Sequence, residues 1–204
     1  MKAVADASAL LSLEYMGALE DTLGIADIYT TGSVEEELNE IAGFRDEKSG
    51  IAKKILTHIS DGKIKRIEMK GEAYPVNVGM SQCLALCISA KIPVMLTDDT
   101  DASYHLGRIA AQKGIKMRMC ASVLVELIRA GKMSPHAAKV KLDELIKKRS
   151  WESGIMEVLA RRYPQCMASS PYLSRQRCSS KTRRLLSFPR SKGTTAYLSK
   201  AREK

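Results

Sequence analysis

The stretch "PVMLTDDTDASYHL", residues 93–106, ends an apolar run on three carboxylates within four positions: Asp98, Asp99 and Asp101. Two carboxylates about 4 Å apart repel by roughly 4 kcal/mol at an effective dielectric near 20. Solvent, the free N–H groups of a following helix, or a bound cation can offset that repulsion. Two further acidic placements share the setting: Asp6, after the apolar residues 3–5, and Glu35, Glu36 and Glu37, after residues 26–31. Hard divalent cations take oxygen ligands, and Mg²⁺ is typically held by one or two carboxylates together with water and phosphate. Such ions activate a water and stabilise the leaving oxygen of a phosphodiester. Each acid also has a plain structural use. Asp6 can cap a helix, the glutamates suit a helix N-terminus through its dipole, and "DDTD" can form a capped turn.

The elements that must position these acids alternate. Residues 2–5 read as a strand and "SALLSLEYMGALEDTL" as one helix. Residues 26–31 form a second strand, and Ser33 with Glu36 makes a capping box for "VEEELNEIAG". A helix over 46–60 ends at Asp61-Gly62, before a third strand at 64–69. "GEAYPVNVG" reads as a loop and "SQCLALCISA" as an apolar helix. "IPVMLT" is strand four, 101–113 a helix and "IKMRM" strand five. Helices follow near 121–130, 134–149 and 151–162, with Ser134-Pro135 as N-cap and N1. Short apolar strands alternating with helices predict an α/β fold, a parallel sheet covered on both faces. Such sheets gather functional groups beyond the carboxyl ends of their strands, and every candidate acid falls there.

Other acidic or phosphate-binding sites fit less well. Ser8 stands where a dehalogenase-type phosphatase needs its second Asp, and a receiver domain needs paired acids where only Asp6 occurs. An EF-hand beginning at Asp99 needs Gly at Tyr104. No glycine-rich nucleotide fingerprint and no Ser–His–acid set occurs, and His58, His105 and His136 read as surface or structural.

The chain has 204 residues, 45% hydrophobic and 5% aromatic, enough for one aliphatic core and an appendage. No apolar run reaches the length that spans a bilayer, so no membrane role is expected. Five cysteines without CxxC spacing point to free thiols in a reducing cytoplasm. The net charge of +10 is unevenly spread: residues 164–204 hold ten Lys or Arg against one acid, Glu203, and the rest is nearly neutral. That basic tail, 164–204, is expected to be disordered. It could meet RNA through phosphate contacts or be an incidental extension.

"VADASALL" at 4–11, "SVEEELNEI" at 33–41 and "VMLTDDTDA" at 94–102 resemble the motifs of PIN-domain ribonucleases, many of them VapC-type toxins. The resemblance covers roughly residues 1–150, with 151–163 as an accessory helix. It implies a three-layer PIN-like fold and a metal-dependent endoribonuclease, the toxin of a toxin–antitoxin pair. By that resemblance Asp6, Glu37 and Asp99 are catalytic and hold Mg²⁺ or Mn²⁺, with Asp98 or Asp101 assisting. Ser8 is a supporting hydroxyl, and Ser8 and Thr97 face the substrate. The ion activates a water for attack on an RNA phosphodiester, no side chain being an obvious general base. An antitoxin protein and a homodimer are implied partners. One departure stands out: related sequences carry acids before strand four where this chain has Met80 and Gln82, with Glu72 nearby in sequence. A catalytically degenerate PIN-like module that binds RNA or protein is therefore the rival expectation, and a small-molecule phosphatase a third.

Overall fold

The computed structural model describes residues 1–69, 74 and 76–168, with backbone only for 163–168; the compact unit is Met1–Ala168. Five strands, β1 (Lys2–Ala5), β2 (Asp27–Thr31), β3 (Ile64–Ile67), β4 (Val94–Leu96) and β5 (Lys116–Arg118), form one sheet in the order β3-β2-β1-β4-β5. All neighbours are parallel, with Val4 opposite both Tyr29 and Met95. The chain builds outward from β1 to β3, then returns to the other side of β1 for β4. The order thus reverses between β1 and β4, and ligands of open α/β sheets bind in that crevice.

Nine helices among the described residues flank the sheet: α1 (Ala7–Tyr15), α2 (Leu19–Leu23), α3 (Gly32–Ala42), α4 (Glu47–Ser60), α5 (Val78–Ser89), α6 (Thr100–Gln112), α7 (Ala121–Arg129), α8 (Pro135–Lys148) and α9 (Ile155–Ala168). This is the three-layer α/β arrangement. Val4, Ala5, Met95 and Leu96 are fully or almost fully buried because β1 and β4 are covered on both faces. Leu10, Leu13, Leu38, Ile55, Leu84 and Leu124 fill the aliphatic core around them. Cys83, Cys87 and Cys120 are buried free thiols, as expected; the side chains of Cys166 and Cys178 lie outside the described residues. No helix among the described residues is long and apolar enough to cross a membrane.

Several boundaries differ from expectation. The single helix expected over 8–23 is two, because Gly17 adopts φ +55° after α1 and Lys141 of α8 donates to the freed Met16 and Gly17 carbonyls at 2.8 and 2.9 Å. The Ser33 cap does not form. Helix α3 starts two residues earlier, from Thr31 without a side-chain cap; Arg66 of β3 instead pairs with Glu35 in its first turn. Helix α5 begins at Val78, capped by Asn77, whose Oδ1 accepts from Met80 N–H at 2.8 Å. Residues 151–154 are a turn, so α9 starts at Ile155 and its backbone stays helical to Ala168, past the expected start of the tail at 164. The remaining tail, 169–204, and Glu72 lie outside the described residues.

Candidate active site

Asp6 leaves β1 and enters α1 as its N-cap, Oδ1 accepting from Ala9 N–H at 2.7 Å. Two hydroxyls reach the same carboxyl. Ser8 Oγ donates to it at 2.9–3.0 Å and Thr97 Oγ1 donates to Oδ2 at 2.7 Å. Each hydroxyl accepts in turn from the loop after β4: Asp98 N–H donates to Ser8 and Asp99 N–H to Thr97, both at 3.0 Å. Two backbone-to-hydroxyl-to-carboxylate relays therefore lock the end of β4 onto the end of β1. Asp6 is 4% exposed. Burial pushes its pKa up to about 7, against its hydrogen bonds to Ala9, Thr97 and Ser8, and the Asp98 charge pushes the same way.

The other acids come from separate elements. Asp99 caps α6, with Oδ1 accepting from Ala102 N–H at 3.0 Å. Glu37 projects from α3 at the solvent rim. Desolvation of its carboxyl raises its pKa, Lys48 lowers it, and Glu40 and Asp99 raise it. Asp6, Glu37 and Asp99 line one cavity of about 50 Å³ with Ser8, Asn77, Gly79 and Met80. A Cβ added to Gly79 would lie 3.7 Å from Glu37 Oε2, so α5 approaches α3 closely here.

The remaining candidates lie elsewhere. Asp98 is 6% exposed and turns away from the cavity: Oδ1 accepts from Cys120 N–H at 2.9 Å, before α7. Its Oδ2 is buried beside the Ser12 hydroxyl in a geometry that makes no well-formed hydrogen bond. Burial raises its pKa. Asp101 is exposed in the first turn of α6, where it suits the helix dipole. Neither Asp98 nor Asp101 lines the cavity. Thr97 is 2% exposed behind Asp6 and its hydroxyl is engaged in the relay. Gln82 is half-buried and does not line the cavity. Met80 does line it, with its sulfur 3.8 Å from the Thr97 hydroxyl. Asn77 and Gly79, which the sequence places in a loop, also line the cavity; the signal for them is an Asn followed by an apolar helical run.

Three carboxylates, an amide and a hydroxyl are hard oxygen donors of the type that suits Mg²⁺ or Mn²⁺. Burial raises the pKa values of Asp6 and Glu37 by disfavouring their ionised forms, which a bound cation would favour. As placed, no group of three His, Cys, Asp or Glu among the described residues stands close enough to share one ion. The donor chemistry fits a hard divalent ion.

No curated protein matches the chain. A family model described as a PIN domain matches residues 2–161, from the first residue of β1 into α9. PIN domains have a nuclease-type fold, act on nucleic acids and usually employ divalent metals. A match over most of the length, with the acids gathered at the β1/β4 crevice, places this chain in the PIN-domain family.

Proposed function

We propose that this PIN domain is a metal-dependent endoribonuclease, working as the toxin of a toxin–antitoxin pair. The observation that carries the catalytic part is the meeting of Asp6, Glu37 and Asp99, from three strand ends, in one small cavity. These three residues hold Mg²⁺ or Mn²⁺. When bound, the ion supplies an acidified water and offsets charge on the phosphodiester. The chain's own residues do the rest. Ser8 and Thr97 fix the Asp6 carboxyl, the backbone between β4 and α6 places Asp99, and Glu37 closes the rim. The toxin assignment, an antitoxin that inserts a basic side chain among these acids, and a homodimer rest on the resemblance of "VADASALL", "SVEEELNEI" and "VMLTDDTDA" to VapC-type toxins.

A second reading has its own observation. Met80 brings a soft, neutral sulfur into the cavity, which favours a degenerate domain that binds RNA or a protein without cutting. Cleavage of single-stranded RNA with and without Mn²⁺, by the wild-type chain and Asp6→Asn, separates the two. The nuclease reading expects Mn²⁺-dependent cleavage that Asp6→Asn abolishes. Equal cleavage by both chains, or none by either at high metal, removes it.

A further inference from the structure

A phosphate backbone brought to a cavity lined by carboxylates is repelled unless cations outside the cavity hold it. The arginines at the ends of the outer strands are already engaged. Arg66 of β3 pairs with Glu35 and Glu68, and Arg118 of β5 pairs with Glu126 at 3.4 Å. Lys48, in the first turn of α4, is exposed and has no ion pair among the described residues, and α4 packs directly against α3, the helix that carries Glu37. Arg45, in the turn before it, is likewise exposed without an ion pair among the described residues.

Next to Arg45 stands Phe44, 64% exposed. A single apolar side chain at the surface is ordinary; the setting of this one is less so. It follows Glu37 by seven residues and lies just past the C-cap of α3, Gly43. The turn that presents it is pinned: Ser49 Oγ donates to the Ala42 carbonyl at 2.9 Å, and Asp46 Oδ1 accepts from Ser49 N–H at 2.8 Å. Val78, also 64% exposed, adjoins Gly79 and adds apolar surface beside Glu37.

We propose that Phe44, Arg45 and Lys48 form a single-stranded RNA subsite on the Glu37 side of the cavity, with a base stacked on Phe44 and phosphates on Arg45 and Lys48. The inference rests on the nuclease reading and adds the surface that holds the strand outside the cavity. A stacked base must offer a free face, which an unpaired strand has and a duplex does not.

The test is fluorescence anisotropy of a short labelled RNA with the full chain in EDTA, across a salt series. Phe44→Ala is expected to lose affinity about 5-fold or more with an unchanged salt slope, stacking being uncharged. Lys48→Ala and Arg45→Ala are each expected to reduce the slope by about one. Lys113→Ala, at the far end of α6, serves as the control with no change. A blunt RNA duplex is expected to bind wild type and Phe44→Ala alike. Wild-type affinity and slope in all three variants, with the strand still bound by wild type, overturns the subsite and leaves the nuclease reading standing. A wild-type chain that binds neither the strand nor Mn²⁺ removes both.

Discussion

Asp6 concentrates the physical tension of this site. Its pKa is raised from 3.8 to about 7, mainly by burial, so the folded state holds a proton that the unfolded state has lost between those values. Stability without metal therefore falls as pH rises through that window, and the full loss is present above pH 7. A shift of this size corresponds to roughly 4 kcal/mol. Thermal unfolding in EDTA is expected to show a falling Tm from pH 5 to pH 8, and Asp6→Asn to flatten most of the slope. Glu37 and Asp98, also raised, leave a residual trend. An unaltered slope in Asp6→Asn would mean that Asp6 is already charged in the fold. Met80 makes the complementary case. At 2% exposure it stands at the cavity with no charge. Met80→Glu is expected to lower metal-free stability by about 1–3 kcal/mol and to raise Mn²⁺ affinity at least about tenfold by calorimetry. Unchanged affinity would show that a carboxylate at this position does not reach the ion.

At the scale of elements, the important joint is the one between β1 and β4. Only two registered pairs join these short strands; the hydroxyl relays through Ser8 and Thr97 extend the joint past the strand ends. Thr97→Val keeps shape but leaves Asp99 N–H without its acceptor and Asp6 Oδ2 with Ser8 as its one remaining hydroxyl donor. A cost of about 1–3 kcal/mol in urea unfolding is expected, with Mn²⁺ affinity falling alongside because Asp99 loses its anchor. Loss of stability without loss of affinity would separate the relay from the site. The break between α1 and α2 is a second element-level device. Gly17 has φ +55° and a Cβ there would meet Lys141 Nζ at 3.3 Å. Gly17→Ala is expected to destabilise by about 1–2 kcal/mol, which equilibrium unfolding measures.

For the whole molecule, the core closes within Met1–Ala168: α9 packs on α7 and α8, and Ala160 is fully buried among them. A chain ended at Ala168 is expected to unfold at the temperature of the full chain. The excess positive charge lies beyond Tyr163, so the same truncation is expected to shallow the salt dependence of RNA binding. An unchanged slope would make the tail a bystander.

Much of this protein could be read from the order of its residues. Alternation of apolar strands with helices specified a covered parallel sheet, because backbone groups and apolar faces are satisfied together only in that arrangement. The rule that such sheets work at their carboxyl edge gathered Asp6, the glutamates at 35–37, Asp98, Asp99 and Asp101, and only the resemblance to PIN-domain motifs narrowed them to Asp6, Glu37 and Asp99. Local signals misled where distant side chains intervened: Lys141 terminates α1 and Arg66 neutralises the start of α3, and neither can be inferred from sequence neighbours. Tertiary packing alone decided which carboxylates face the cavity. Asp98 and Asp99 are adjacent and chemically alike, yet one side chain turns to Cys120 and the other to the cavity. The Cys120 N–H just before α7 takes the Asp98 carboxyl, while Asp99 caps α6, and these partners come from distant parts of the chain or from the helix that follows.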